Sequence, residues 1–397
     1  MHSAKTFAAV AAFAATAFAA TCKDVTIETT GQAISCDTIT GDLTVDEALA
    51  GDLTITGPKT IKGDLIVNNA TNLLSLTSST ISSIEGRFVL TSLNSLNTIS
   101  MDNLRTIGNL EMQKLPALRD LIFGTEGVTK ASQIEVSDTF LSSLSGLKIS
   151  SVDSLNINNN DRLTKFESDL VNITDTLIIT SNGRDMEISM QKLESAAEIQ
   201  IANVKSFQAP LLSNVSASLK FDKCDELKSF SAPNLTSVKD AVSFINNKKL
   251  TNISFPILKT IGGDLRIVNN TLLKTIDGFP KFESCASINF GGNFNQIKLP
   301  SLDSVGGTAQ ISTTTQNSTV CDDINDADDD GKIKGGAKCT YDNENANEGG
   351  DKDGGETGSG SSSSDSSSDD DDSAAGMVAI NSALIGLGLI AGVAQLL

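Results

Sequence analysis

A short apolar–x–apolar pattern recurs along most of this chain at steps of 20 to 24 residues. Each occurrence places two apolar side chains on one face, which predicts a short β-strand with one buried side. A near-constant period of this length is typical of a repeat protein. The predicted strands are 65–67, 88–90, 110–112, 134–136, 155–157, 177–179, 199–201, 219–221, 242–244, 265–267, 288–290 and 309–311.

Each repeat has the same anatomy around its strand. Gly-Asp often precedes the strand, an Asn-rich corner follows it, and apolar anchors such as Leu73 and Leu76 come next. One coil of about 22 residues cannot bury its own apolar side chains, whereas stacked coils share a continuous core. We therefore predict a mainly β protein, a right-handed parallel β-solenoid. The corner position five residues past the strand start predicts an inward ladder of Asn160, Cys224, Asn247, Asn270 and Asn293.

Composition excludes several function classes. The net charge is -19, so no basic stripe exists for nucleic acid. The single histidine is His2, and the chain has no Trp and one tyrosine, Tyr341. Without histidine, a Ser-His or Cys-His pair and an ordinary zinc site are excluded from the secreted part. We expect no enzyme, no catalytic residue, no cofactor and no metal site.

Both chain ends carry the pattern of processing signals. Residues 1–19 read as a signal peptide, with the mature chain beginning at Ala20 or Thr21. Residues 374–397 read as the removed tail of a glycosylphosphatidylinositol (GPI) signal, with Ser373 as the attachment residue and Gly376 or Ala374 as alternatives. A retained transmembrane helix is the competing interpretation. Between the signals we expect a solenoid with caps at 20–340 and an acidic Ser/Gly-rich spacer at 341–373.

The Gly-Asp-Leu strands, the "NN…L..I" corners and the "P.L..IGG" closures resemble the receptor L-domain type of leucine-rich repeat. The whole order, from signal peptide through the coils and the Cys321–Cys339 segment to the Ser-rich tail, resembles the fungal GPI-anchored cell-wall organisation proteins related to sporulation-specific cell-wall proteins. This resemblance implies a place on the outer face of the plasma membrane or in the cell wall, and a need for the protein in wall assembly. It supplies no catalytic residue.

Six cysteines permit three disulfides by parity, but the repeat register favours two. We predict Cys22–Cys36 as a staple of the amino-terminal cap and Cys321–Cys339 as a staple of the carboxy-terminal cap. Cys224 and Cys285 lie about three coils apart, too far for the Cα separation of a disulfide. Both are therefore expected to be buried free thiols.

The chain contains seven N-glycosylation sequons. Asn69 and Asn269 coincide with the ladder corner, so we expect them to be poorly occupied because an inward side chain cannot carry a glycan. Asn172 and Asn214 are expected on exposed turns before strands. Fuller occupancy is predicted for Asn172, Asn214, Asn234, Asn252 and Asn317. Residues 361–364 and 366–368 are expected to carry O-mannose.

The acidic segment from Asp326 to Ile333 matches half of an EF-hand loop, but position twelve is Ala337 instead of the bidentate Glu. We therefore favour an acidic cap hairpin inside the disulfide loop over a weak Ca²⁺ site.

The preferred function is that of a non-enzymatic surface glycoprotein that supports fungal wall organisation and integrity. Its predicted partners are the plasma membrane through the lipid and, through the long sheet face, wall β-glucan or wall proteins. Two alternatives remain. A receptor-like module should show one exposed apolar or aromatic patch, and a carbohydrate-active β-helix enzyme should show paired carboxylates converging in a groove.

Overall fold

The computed structural model of the protein describes residues 20–348. The predicted signal peptide, the GPI attachment at Ser373 with its alternatives, the O-mannosylation segments and most of the spacer lie outside these residues. Within the described part, no helix is long and apolar enough to cross a membrane.

One 23-stranded sheet runs the length of the described part. All of its strand pairs are parallel, as expected when each coil returns to the same side before the next begins. Its strands are Thr21–Cys22, Val25–Ile27, Thr38–Ile39, Leu43–Val45, Thr60–Ile61, Leu65–Asn68, Ser83–Thr91, Thr106–Leu115, Gln133–Thr139, Ser151–Asn158, Asn172–Thr180, Ser195–Ala202, Asn214–Val215, Leu219–Asp222, Ser237–Val238, Val242–Ile245, Thr260–Ile261, Asp264–Val268, Ser284–Cys285, Ser287–Gly292, Ser304–Val305, Ala309–Thr313 and Ala337–Thr340.

Four smaller parallel sheets form another side of the coils. The first contains Gly51–Thr54, Leu73–Ser78, Thr98–Met101 and Asp120–Ile122, and the second Lys165–Glu167, Met186–Ser189 and Val204–Gln208. The last two pair Ser229–Ser231 with Asn252–Ser254, and Thr275–Ile276 with Gln296–Ile297. Gly51-Asp52 thus begins a strand of a side sheet, whereas Gly41-Asp42 and Gly63-Asp64 precede strands of the main sheet.

The predicted repeat register is confirmed. The first residues of the twelve predicted strands pair in one unbroken row from Leu65 to Ala309. The same row continues before Leu65 to Leu43 and Val25, and after Ala309 to Ala337. The parallel β-solenoid is thus longer than the twelve predicted coils: Leu43 lies at the common step of 22 residues before Leu65, whereas Val25 and Ala337 lie at steps of 18 and 28 residues.

The core is continuous along the stack. The predicted anchors Leu73, Leu76 and Leu250 are fully buried. Every phenylalanine in residues 20–348 except Phe140 is buried, as the repeat pattern predicted. In the later coils these rings form a spine, in which Phe221 and Phe244 stack with centroids 5.2 Å apart.

The predicted inward ladder is present over part of the stack. Asn247 accepts a hydrogen bond from the Cys224 N–H at 2.9 Å and donates to Phe221 O at 3.2 Å. Asn270 accepts from the Asn247 N–H at 3.0 Å. Asn160, Asn247, Asn270 and Cys224 are all fully buried. The prediction that Asn293 belongs to this ladder is wrong: Asn293 is half-buried, and Phe294 takes the inward position.

A second ladder lies at the Gly-Asp corner of the first coils. Asp24 Oδ1 accepts from the Asp42 N–H, Asp42 Oδ1 from the Asp64 N–H, and Asp64 Oδ1 from the Arg87 N–H. A Cβ on Gly63 would collide with the carbonyl oxygen of Gly41 one coil earlier. The Gly-Asp pair is therefore explained by close coil contact together with a carboxylate that satisfies the next coil's backbone.

Disulfides staple both ends, with Cys22 bonded to Cys36 and Cys321 to Cys339. The carboxy-terminal cap differs from the predicted hairpin: Ser318–Cys321 forms a 3₁₀ turn and Asp322–Asp329 an α-helix. Ile324 and Ala327 are its buried residues, so an amphipathic helix covers the end of the core.

Residues 341–348, assigned to the spacer from sequence, are part of this structured end. We call them the strap. Asn343 Nδ2 donates to Ser312 Oγ at 2.8 Å, and Ala346 is buried.

Candidate functional site: an exposed polar sheet face

The main sheet presents outward-facing side chains between its buried ones. We call this surface the sheet face. Its central row is one residue per coil, in register and about 4.8 Å apart. From Leu65–Asn68 onward the central row is Ile66, Val89, Glu111, Glu135, Asn156, Ile178, Gln200, Lys220, Ser243, Arg266, Asn289, Gln310 and Lys338.

The central row is chiefly polar, with amide, hydroxyl and charged groups and no aromatic ring. Charges on the sheet face are paired with neighbouring coils, in the central row at Lys220 and in a flanking outward row at Arg87. Arg87 Nε and Nη2 donate to Asp64 Oδ2 at 2.9 and 2.7 Å, and Lys220 Nζ lies 3.2 Å from Glu198 Oε1. The face therefore offers hydrogen-bonding groups with little net cationic character.

Glu111 and Glu135 are register neighbours in the central row. Burial raises the pKa of Glu135, the charge of Glu111 raises it further, and a hydrogen bond with Gln113 opposes both. Two carboxylates in adjacent coils are the one feature here that an acid–base enzyme would need. Neither carboxylate lines the pocket at the carboxy-terminal end of the sheet face or the pocket beside Cys285.

None of the sequons lies in the central row, although Asn172 and Asn214 are outward-facing residues of main-sheet strands. Asn172 and Asn214 are exposed but lie in strands Asn172–Thr180 and Asn214–Val215, not in the predicted turns. Asn234, Asn252 and Asn317 are also exposed, as expected for glycan acceptors. Their occupancy stays a prediction.

The expectation for Asn69 and Asn269 rested on a wrong register. Both adopt positive φ, 56° and 57°, at the residue before the inward position. Ala70 and Asn270 are the buried neighbours. Asn69 is exposed, whereas Asn269 is half-buried and its Nδ2 donates to Asn246 Oδ1 at 2.6 Å. The structure therefore removes the predicted obstacle at Asn69, because a left-handed Asn points its side chain outward here.

The two unpaired cysteines are buried free thiols, as predicted. Cys224 takes an Asn position in the ladder, with its Sγ 3.5 Å from Asp222 O and 3.7 Å from Ile201 O. Burial raises the pKa of both the Cys224 and Cys285 thiols to about 12. Neither is a nucleophile at neutral pH, since the thiolate is the reactive species.

The acidic EF-hand-like segment does not form a loop. Asp326 and Asp328 lie within the helix Asp322–Asp329, so their carboxylates follow helical geometry instead of encircling a cation. Among residues 20–348, no group of three or more His, Cys, Asp or Glu side chains could hold a metal ion.

Exposed large apolar side chains in the described part are dispersed over coils about two or more turns apart: Leu74, Ile122, Leu211, Leu272 and Tyr341. They do not form the single patch expected of the receptor-like alternative. Phe140, the half-buried ring, lies between Arg119 and Arg162, whose guanidinium carbons are 5.5 and 4.5 Å from its centroid.

The sequence reading missed the strap and the aspartate ladder. The recurring Gly-Asp pairs are the sequence signal of this ladder. No comparable signal marks the strap, because it is acidic like the spacer that follows it and has no apolar period.

A parallel solenoid of leucine-rich coils, stapled at both ends and exposing a polar sheet, defines a scaffold or binding protein of the extracellular type. No protein-family model matches the chain. It is 32% identical over 306 residues to "Protein ecm33" of Aspergillus fumigatus, spanning 77% of this chain and 76% of that protein. It is 30% identical over 351 residues to "Cell surface GPI-anchored protein" of Arthroderma benhamiae, spanning 87% and 89%.

A third relative, "Cell surface GPI-anchored protein ECM33" of Candida albicans, is 33% identical over 174 residues, which span 43% of this chain and 42% of that protein. The chain belongs to this fungal family of GPI-anchored cell-surface and cell-wall proteins. Family membership confirms the resemblance described above, and with it the predicted location at the cell surface or in the wall.

Proposed function

We propose that this protein is a non-enzymatic, GPI-anchored glycoprotein that maintains the organisation and integrity of the fungal cell wall. In this proposal the solenoid is a rigid support, and its sheet face binds wall β-glucan or other wall proteins. The lipid added at Ser373 holds the protein to the plasma membrane. By analogy with the family, some molecules pass to wall β-glucan through the remnant of that lipid.

One observation carries the proposal: the long polar central row is free of sequons on a chain that has seven. The row itself has no N-glycan acceptor, so its side chains stay available to a large partner, and the main-sheet sequons Asn172 and Asn214 lie at the starts of their strands. A row of amides and hydroxyls suits a hydroxylated polymer, which can exchange hydrogen bonds with successive coils.

The proposal can be tested by placing a glycan on the sheet face. Asn158→Thr creates a sequon at Asn156 of the central row with one substitution. Asn158→Ala changes the same residue without a sequon and is the matched control. Each gene is returned to a strain of the host fungus that lacks the protein, and growth is measured on a wall-perturbing dye. Mass spectrometry confirms the added glycan.

We expect Asn158→Ala to restore growth and the glycosylated Asn158→Thr variant to fail while reaching the surface in normal amount. Full rescue of growth by the glycosylated variant would contradict the proposal that the sheet face binds a wall partner.

An enzyme that uses Glu111 and Glu135 is the second candidate, and their adjacency is the observation in its favour. The paired substitution Glu111→Gln with Glu135→Gln should leave rescue unchanged if the function is non-enzymatic. Loss of rescue by this otherwise stable variant, together with loss of glucan cleavage in vitro, would replace the scaffold with a hydrolase.

A further inference from the structure

A pocket of about 350 Å³ lies on the sheet face where the strap crosses the last coils. Three consecutive side chains of the central row, Asn289, Gln310 and Lys338, form one wall. Asn345 and Ala346 of the strap form the other wall. The strap therefore turns an otherwise flat part of the sheet face into a groove along the solenoid axis.

The strap is held in place by specific contacts. The Asn343 N–H donates to Thr313 O at 3.0 Å, and Asn347 Nδ2 donates to Asn293 Oδ1 at 2.8 Å. Ala346 is 3% exposed, and a Cβ on Gly291 would lie 2.9 Å from its carbonyl oxygen. Gly291 thus leaves room for the strap at an outward position where other coils carry a side chain.

The three side chains of the central-row wall are exposed. Within residues 20–348 they make no hydrogen bond or ion pair with other protein groups. Two amides elsewhere in the row are engaged: Gln200 Nε2 donates to Glu198 Oε1 at 2.6 Å, and Asn156 Oδ1 accepts from Asn158 Nδ2 at 2.8 Å. The pocket therefore concentrates free amide and ammonium groups about 4.8 Å apart.

Charge indicates what kind of ligand this pocket accepts. Lys338 is the one cation among the pocket-lining residues. The strap carries Asp342, Glu344 and Glu348, and the chain has a net charge of -19. This field disfavours an anionic ligand. Amides and hydroxyls at regular spacing suit a neutral ligand whose hydroxyls both donate and accept hydrogen bonds.

We propose that this pocket is a saccharide-binding site that takes a short stretch of a neutral polysaccharide chain lying along the solenoid axis. The inference rests on the proposed function and deepens it, since it assigns polymer binding to the carboxy-terminal end of the sheet face. The strap excludes water from one side of the bound sugar and supplies the Asn345 amide, while Asn289 and Gln310 bind hydroxyls from the other side.

The test uses the secreted, glycosylated chain and isothermal titration with two neutral probes, β-1,3-glucan oligosaccharides and mannan oligosaccharides. The pocket variant is Asn289→Ala with Gln310→Ala. The matched control is Asn94→Ala with Gln208→Ala, which removes the same two residue types from exposed positions outside the sheet face. Thermal unfolding of both variants verifies that the solenoid is intact.

We expect one of the probes to bind the wild-type chain, and the pocket variant to bind it about tenfold or more weakly, as two lost neutral hydrogen bonds require. The control variant should stay within about twofold, and binding should be insensitive to salt because the ligand is uncharged.

Three outcomes would overturn the site. Equal binding by the pocket variant and wild type, no binding of either probe, or displacement of the probe by an acidic peptide each excludes a neutral-saccharide pocket here. The wall-growth experiment with Asn158→Thr is independent, so the proposed function survives a failure at this pocket alone.

Discussion

The first coils and the later coils of this solenoid use different means to hold successive turns together. In the coils up to Leu115, the inward corner position is apolar, with Ala70, Leu93 and Leu115 buried there. Polar coupling comes instead from the aspartates of the Gly-Asp corner. In the later coils the inward corner carries Cys224, Asn247 and Asn270, and each is hydrogen-bonded to a neighbouring coil.

The core differs in the same way. Phe88 of the early coils is buried but belongs to no ring pair within residues 20–348, whereas Phe244 contacts Phe221, Phe230 and Phe255. The comparison teaches that a coil stack needs a satisfied polar ladder at its turns, but not always at the same corner. Since each ladder joins only neighbouring coils, we expect damage to one region to leave the other largely intact.

The largest effect should come from the phenylalanine spine. Phe244→Ala removes a fully buried ring and should lower the free energy of unfolding by about 4 kcal/mol. Phe88→Ala is the matched substitution in the early coils. It should cost about 1 kcal/mol less, because no ring–ring contact is lost there. Denaturant unfolding of both variants measures the difference, and equal losses would show that the spine adds nothing beyond apolar burial.

The next effect concerns the inward ladder. Asn247→Ala leaves the Cys224 N–H and the Phe221 carbonyl without their buried partner and should cost about 3 kcal/mol. Hydrogen exchange should accelerate at Cys224 and its neighbours while the coils up to Leu115 keep their protection. Asn156→Ala on the exposed face is the control, with an expected loss below about 0.5 kcal/mol. Uniform loss of protection along the chain would refute local coupling.

A smaller effect is expected at the aspartate ladder. Asp42→Ala removes the acceptor of the Asp64 N–H, a bond of 2.8 Å, and should cost about 1 kcal/mol. Asp37→Ala removes only an exposed ion pair to Lys59 at 3.6 Å and should be nearly neutral. Exchange protection should fall at Asp64 but not at Asn247. If both substitutions proved neutral, solvent would satisfy this corner without the carboxylates.

The smallest effect on stability at neutral pH concerns the two thiols. Cys224 and Cys285 should not react with a maleimide in the native chain and should react fully after unfolding. Burial raises the pKa of both thiols to about 12, whereas an unfolded thiol ionises at about pH 8.5. The stabilisation of the folded state by the protonated thiols is therefore complete below about pH 8.5. It is lost as pH rises toward 12. Rapid labelling at neutral pH in the native state would contradict their burial.

Much of the fold followed from periodicity. The strand pattern located twelve consecutive rungs correctly because an alternating inward–outward strand has a period of two, and a one-residue slip would expose every core residue. The Asn ladder and the Cys224 substitution were also predicted, since a buried polar group at a fixed corner needs a partner in each coil. The cap disulfides followed from cysteines placed outside the regular coils.

Two predictions were wrong for different reasons. Asn69 and Asn269 were placed one residue off because adjacent asparagines at the corner have opposite roles, one in a left-handed turn and one inward, and composition does not distinguish them. The acidic cap was expected to be a hairpin, but Ile324 and Ala327 form an apolar stripe that favours a helix against the open end of the core.

The sequence by itself determined the repeating coil, the buried rows and the extracellular class of this protein, because all three depend on local pattern and spacing. Only the tertiary structure decided which corner carries each ladder and where the strap lies. These features depend on contacts between residues about one coil or more apart, as between Asn347 and Asn293. Such contacts form once stacking brings the coils together, and no local pattern in the strap encodes them.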